Sequence, residues 1–167
     1  SSGFGIFLPI AILHIFDGLV TVLFVLMIGA LIFGFNLPFS SWPAFLLILL
    51  VASFSAMAFG LIISCLGLLT RDLNLVLNVA SMAMLGLTGA NFPLERIPVW
   101  LQPVGQLMPL TRSIEASRSL YAGMPLSDLS GMLIGELILG IVLMAFGVLI
   151  FNVMTRVAVR LGVLEMF

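Results

Sequence analysis

Four stretches of this chain are long and apolar enough to cross a lipid bilayer, and that restricts the fold more than any motif does. In hydrocarbon no water satisfies a backbone N–H or C=O, so a lipid-exposed spanning segment must be a helix or part of a closed barrel. At 1.5 Å per residue a helix needs about 20 residues to cross a core of ~30 Å. The first stretch occupies about residues 10–35 and is uncharged from Gly18 to Phe35; Asn36, Pro38, Ser40 and Ser41 break it with turn chemistry. The second covers about residues 42–69 and is closed by Thr70, Arg71, Asp72 and Asn74. The third covers about residues 73–92, where Pro93 stops it, and the fourth about 131–154, followed by Arg156 and Arg160.

Composition agrees. The 167 residues are 62% hydrophobic and 8% charged, with a mean hydropathy of +1.34, far from the roughly 25% charged residues of soluble domains. The expected fold class is therefore an all-α integral membrane protein. With no Lys and six Arg, the chain has almost nothing with which to hold nucleic acid, and that class is excluded. The single Cys65 lies within an apolar run, which removes intrachain disulfides and thiolate metal clusters. The chain opens Ser-Ser-Gly without a basic n-region, and no signal peptide is read there.

Ala52, Ala56, Gly60 and Ser64 recur at four-residue spacing, leaving one stripe of the second span nearly without side chains; helix packing along it is expected, and Gly131 and Gly135 begin a shorter stripe of the same kind. Arg71, Arg156 and Arg160 fall on one face of a four-span arrangement, Arg96, Arg112 and Arg118 on the other, so counting cations leaves the orientation tied.

Residues 89–128 hold six of the thirteen charges and five of the eight prolines. Pro93, Pro98, Pro103 and Pro109 forbid an uninterrupted helix. From Leu110 to Ala122 a second short helix is expected, with Leu110, Ile114 and Tyr121 on one side and Arg112, Glu115 and Ser119 on the other. Glu115 stands at i, i+3 from both Arg112 and Arg118 and can pair with either, and Gly123 with Pro125 ends the helix. Each half is too short to cross a bilayer. The expectation is a re-entrant hairpin over about 93–127, with Trp100 and Tyr121 at the interface; the alternative is an amphipathic segment lying flat on the surface.

The run FPLERIPVWLQPVGQLMPLTRSIEASRSLYAG resembles the C-terminal part of ATP-binding-cassette type-2 permeases. The pattern is carried by Phe92, Pro93, Ile97, Pro98, Pro109, Leu110, Thr111, Arg118 and Gly123. The resemblance implies a six-helix permease of which the four spans are the C-terminal part, with Ser1 to Pro9 as a remnant of the preceding cytoplasmic coupling helix. It implies a second permease copy, as a homo- or heterodimer, and a partner ATPase subunit that carries ATP and Mg. The hairpin then faces outward, Arg71 and the C-terminus are cytoplasmic, and the setting is a bacterial plasma membrane.

No Gly-x4-Gly-Lys-Ser/Thr loop occurs, so ATP hydrolysis is expected on the partner and not on this chain, which is not read as an enzyme. Thr70, Arg71, Asp72 and Asn74 form the polar loop expected to touch that ATPase; an ordinary charged turn is the alternative. Asn78, Ser81, Met82, Leu85 and Gly89 fall along one face of the third span, which suits either a pathway for amphipathic cargo, to which the resemblance points, or interhelical hydrogen bonding. His14 and Asp17 at i, i+3 suit an interfacial pair or a proton relay, and no second His completes a metal site. Glu136, about one turn inside the fourth span, must face protein, water or headgroups: it snorkels to the outer interface or pairs with Arg112 or Arg118. Phe92, Pro93, Pro98, Pro109, Arg112, Glu115, Arg118 and Glu136 are together the expected hairpin gate. The expected function is export of a drug, peptide, lipid or lipid-linked glycan; the rivals are an ion-coupled secondary transporter, which would use a second broken-helix repeat, and a membrane-embedded enzyme.

Overall fold

The computed structural model describes residues 4–34, 37–69 and 72–160. Among these every regular element is helical: α1 (Phe4–Phe33), α2 (Trp42–Leu69), α3 (Leu73–Leu87), α4 (Gln102–Gln106), α5 (Thr111–Tyr121) and α6 (Leu126–Arg160), with single 3-10 turns at Phe39–Ser41 and Leu94–Arg96. Two stretches, Phe39–Gly67 and Leu126–Met154, are helical, long and apolar enough to cross a membrane; Phe16–Ile32 and Leu73–Leu87 are shorter apolar helices. α2 and α6 display Leu46, Leu50, Leu66, Ile134, Ile138, Ile141, Phe146 and Leu149 to the outside. Such outward apolar surface is stable against lipid and not against water.

Helix ends follow local chemistry. Gly34 (φ +66°) and Gly89 (φ +77°) adopt the left-handed conformation that an L side chain resists, just beyond α1 and α3. α3 thus stops at Leu87, short of the expected Phe92, and Thr88 turns its hydroxyl back to the Met84 carbonyl. At the other end of α3 the Asp72 side chain accepts from the Leu75 N–H at 3.1 Å, a helix N-cap. α5 closes with paired bonds from Gly123 N to Leu120 O and from Met124 N to Ser119 O around left-handed Gly123, so the Gly-then-Pro reading of that end holds. α1 begins at Phe4 and is continuous through Pro9.

The core forms where three helices meet. Ala44 and Ile48 of α2, Ala116 and Leu120 of α5, and Leu129 and Leu133 of α6 are buried together, with Phe45 and Met132 packed against them. The α2–α6 seam then runs on through Ser55, Ala58 and Cys65. It is not the expected stripe: Gly60 has nothing near its Cβ position, and Ser64 bonds to the Gly60 carbonyl of its own helix. The close approach comes from α6, where a Cβ on Gly140 would lie 2.9 Å from the Phe54 ring and 3.2 Å from the Ser55 Cα, and one on Gly147 would lie 3.0 Å from Leu61. Gly131 faces open space, and Gly135 faces Arg112.

Gly140→Leu should therefore separate α2 from α6 and cost about 1–3 kcal/mol through overpacking, whereas Gly131→Leu should leave the melting temperature of the detergent-solubilised protein unchanged. Equal melting of the two variants would reject this seam.

Candidate functional site

The site is built where the proline-punctuated segment turns back. After α3 the chain runs through Phe92 and Pro93 into the Leu94–Arg96 turn; the Pro98 carbonyl then accepts from Leu101 N (2.8 Å) and Gln102 N (3.3 Å), starting α4. α4 lies against the end of α3, because a Cβ on buried Gly105 would sit 2.7 Å from the Leu87 carbonyl oxygen. At the turn into α5, Pro109 is fully buried and Leu110 has φ +74°, which strains a residue with a Cβ by roughly 1–2 kcal/mol. Thr111 is buried and donates its hydroxyl to the Gly105 carbonyl at 2.7 Å, tying α5 to α4.

What holds that strained turn is Glu136. Its Oε1 accepts from the Leu110 backbone N–H at 2.7 Å and from the Ser55 hydroxyl, so one carboxylate oxygen joins the hairpin to α2 and α6. Glu136 is 0% exposed, and its Oε2 is buried without a partner. It does not snorkel, and it pairs with neither Arg112 nor Arg118. α6 starts at Leu126, so Glu136 lies ten residues in, about 15 Å along the helix axis and deeper than one turn. At that depth an acid needs donors, and the two bonds partly offset its desolvation.

The arginines are used otherwise. Arg112 lies across Gly135, whose Cβ position is 3.1 Å from the Arg112 Cδ, and its Nη1 is buried without a partner. Arg118 donates Nη2 to the Ala90 carbonyl at 3.0 Å, fastening α5 to the loop after α3. Neither pairs with Glu115, which is exposed. α5 buries Thr111, Ser113, Ala116 and Leu120, which belong to neither side drawn from the sequence; Ile114 is half-buried and Tyr121 is exposed. Trp100 and Val99, about four-fifths exposed, mark the tip of the segment.

With that geometry in hand, the comparison with known proteins is decisive at the family level. The ABC-2 type transporter family model matches residues 2–122, from the start of the chain through α5. The chain belongs to the ABC-2 type transporter family. No curated protein and no solved structure matches it. As an ABC-2 type transporter it is a membrane-embedded transport subunit, of a kind that generally works with an ATP-binding-cassette ATPase.

The remaining expected residues are scattered through this ABC-2 fold. Asn78, Ser81, Met82 and Leu85 are exposed on α3, unpacked by the rest of the chain, while buried Gly89 lies beyond the helix end and does not continue their face. Thr70 and Arg71 lie outside the described residues; Asp72 caps α3 and Asn74 is exposed. Asp17 is exposed on α1, and the His14 side chain lies outside the described part. Phe92, Pro93 and Pro98 are exposed. Among the described residues no cluster of His, Cys, Asp or Glu could hold a metal. Ser55 was not singled out beforehand; it stands one position off the small-residue stripe, and only the α2–α6 register brings it to Glu136.

If Glu136 holds the turn, Glu136→Leu should strand the Leu110 N–H and lower stability by about 1–3 kcal/mol, and Leu110→Pro, which deletes that donor, should be at least as harmful. Leu110→Gly should be near neutral, because relief of left-handed strain offsets the added chain entropy. Thermal melting of purified variants gives the order; a wild-type melting curve for Glu136→Leu would reject the clamp.

Proposed function

We propose that this chain is the C-terminal, four-span part of a permease in an ATP-binding-cassette exporter, folded as one transmembrane domain over residues 1–167. α1, α2, α3 and α6 cross the membrane, and the segment 93–127 is a re-entrant hairpin entering from the outer face. The reading is supported most by the Leu110 N–H bonded to Glu136 about 15 Å along α6: a hairpin lying flat on the surface would not reach so deep. α3, with 15 residues and about 22 Å, falls short of a full crossing by itself, and its end is covered by α4 of the same hairpin.

In this reading two permease copies alternate between inward- and outward-facing packing, driven by ATP and Mg bound to partner ATPase subunits on the cytoplasmic face. The exposed face of Asn78, Ser81, Met82 and Leu85 borders the route taken by an amphipathic drug, peptide, lipid or lipid-linked glycan. Thr70, Arg71, Asp72 and Asn74 transmit the ATPase movement. The hairpin, with Phe92, Pro93, Pro98, Pro109, Arg112, Glu115, Arg118 and Glu136, closes the outer end, and the C-terminus is cytoplasmic in a bacterial plasma membrane.

Labelling with a membrane-impermeant maleimide tests the topology. Val99→Cys should react in intact cells and Asp72→Cys only after permeabilisation; reaction of both from one side would overturn the crossing of α3. Arg71→Glu should reduce co-purification of the ATPase severalfold while the permease still folds, and unchanged co-purification would remove the coupling role. Glu136→Gln should lower transport more than expression.

A further inference from the structure

A cleft of about 420 Å³ opens beside the hairpin, outside the Glu136 clamp. Its walls include Glu95 of the first turn, Gln106 of α4, Arg112 and Glu115 of α5, and Met132 of α6. Both signs of charge line it: Glu95 and Glu115 are exposed, and the half-buried Arg112 forms part of its wall. Met132 lies six residues into α6, about 9 Å from its start. The stretch Leu126–Met154 is about 43 Å long, which matches a bilayer with its headgroup layers, so the cleft falls at the boundary between headgroups and hydrocarbon.

We propose that this cleft binds a zwitterionic headgroup made of a primary ammonium and a phosphate ester, of the phosphoethanolamine type. The ammonium has three N–H donors for the Glu95 and Glu115 carboxylates, and the phosphate oxygen faces the Arg112 guanidinium, with the Gln106 amide beside it. Met132 offers an apolar wall to the start of the acyl chains. A choline headgroup has no N–H to give the carboxylates and is held by aromatic cages, and no aromatic residue lines this cleft. A purely anionic headgroup would meet two carboxylates for one guanidinium. The inference rests on the proposed placement of the hairpin in the outer headgroup layer and names a ligand of that hairpin.

The test uses the full chain with its co-purifying partners in nanodiscs of phosphatidylcholine doped with either phosphatidylethanolamine or phosphatidylglycerol. Bound lipid is counted by native mass spectrometry after release. Phosphatidylethanolamine should be retained about tenfold over phosphatidylcholine, a preference of about 1.4 kcal/mol, and Glu95→Gln together with Glu115→Gln should bring the ratio close to one. Both carboxylates are exposed, so the double variant should fold, and an unaltered melting temperature verifies it. Equal retention of the two lipids by the wild type, preferential retention of phosphatidylglycerol, or a preference that survives the double variant would overturn the proposal. Soluble glycerophosphoethanolamine distinguishes the source: displacement of bound lipid means that the headgroup alone is recognised, and failure to displace means that the acyl chains against Met132 are required. Selective retention of phosphatidylethanolamine by a chain that captures no ATPase would sink the exporter reading and keep this site; ATPase capture without lipid selectivity would do the reverse.

Discussion

The hydrogen bond from the Leu110 N–H to Glu136 is the contact on which the rest of the arrangement depends. A chain that breaks its helix exposes backbone groups, and those that are buried need partners within the protein. Four backbone groups around the turn find side-chain partners. Glu136 takes the Leu110 N–H, the Thr111 hydroxyl serves the Gly105 carbonyl, the Gln102 amide serves Ile97, and Arg118 serves Ala90. The buried acid is the costliest of these groups and also the one that reaches furthest, since the Ser55 hydroxyl on the same oxygen brings α2 into the joint. The strained φ of Leu110 is held by the Glu136 bond, flanked by buried Pro109 on one side and the Thr111 bond on the other.

The class of fold and the position of the break were legible in the sequence because both follow from single-residue properties: apolar runs long enough to span, and prolines that end helices. The Schellman-type end of α5 was legible for the same reason, from Gly123 and Pro125. What was not legible depended on register between helices far apart in the chain. The stripe of Ala52, Ala56, Gly60 and Ser64 is regular, yet the buried line of α2 passes through Ser55, Ala58 and Cys65, because Gly140 and Gly147 of α6 set where the backbones meet. Glu136 could be assigned to protein, water or headgroup, but its partners are a serine 81 positions away and a backbone N–H that exposes itself only when Leu110 turns left-handed. The end of α3 was misplaced by five residues because Gly89 acts before Pro93 does.

The Pro109-Leu110-Thr111 triplet, which carried much of the family resemblance, has a physical content in this structure. Each residue fixes a different group: the proline ring fills the buried corner, the next N–H reaches the acid, and the threonine hydroxyl binds the preceding short helix. The three contribute packing, a backbone donor and a side-chain donor, so the triplet is a joint and not merely a helix stop. Arg118 has a comparable task one layer out, where its reach to Ala90 fastens the hairpin to the loop that leaves α3.

The packing also divides the chain into parts of unequal firmness. α2, α5 and α6 share the buried cluster from Ala44 to Leu133 and the Glu136 joint, so they form one packed block. α1 packs on α2, and α3 packs on α2 and on α4, with largely exposed flanks and no buried residue on α3. The looser boundary in the fold is therefore α3 against these three helices, not α2 against α6. That boundary is also where the exposed Asn78, Ser81, Met82 and Leu85 lie, and where Arg118 and Gly105 connect the hairpin to the end of α3. The Asp72 cap stands at one end of α3, and the Arg118 and Gly105 contacts join the hairpin at the other.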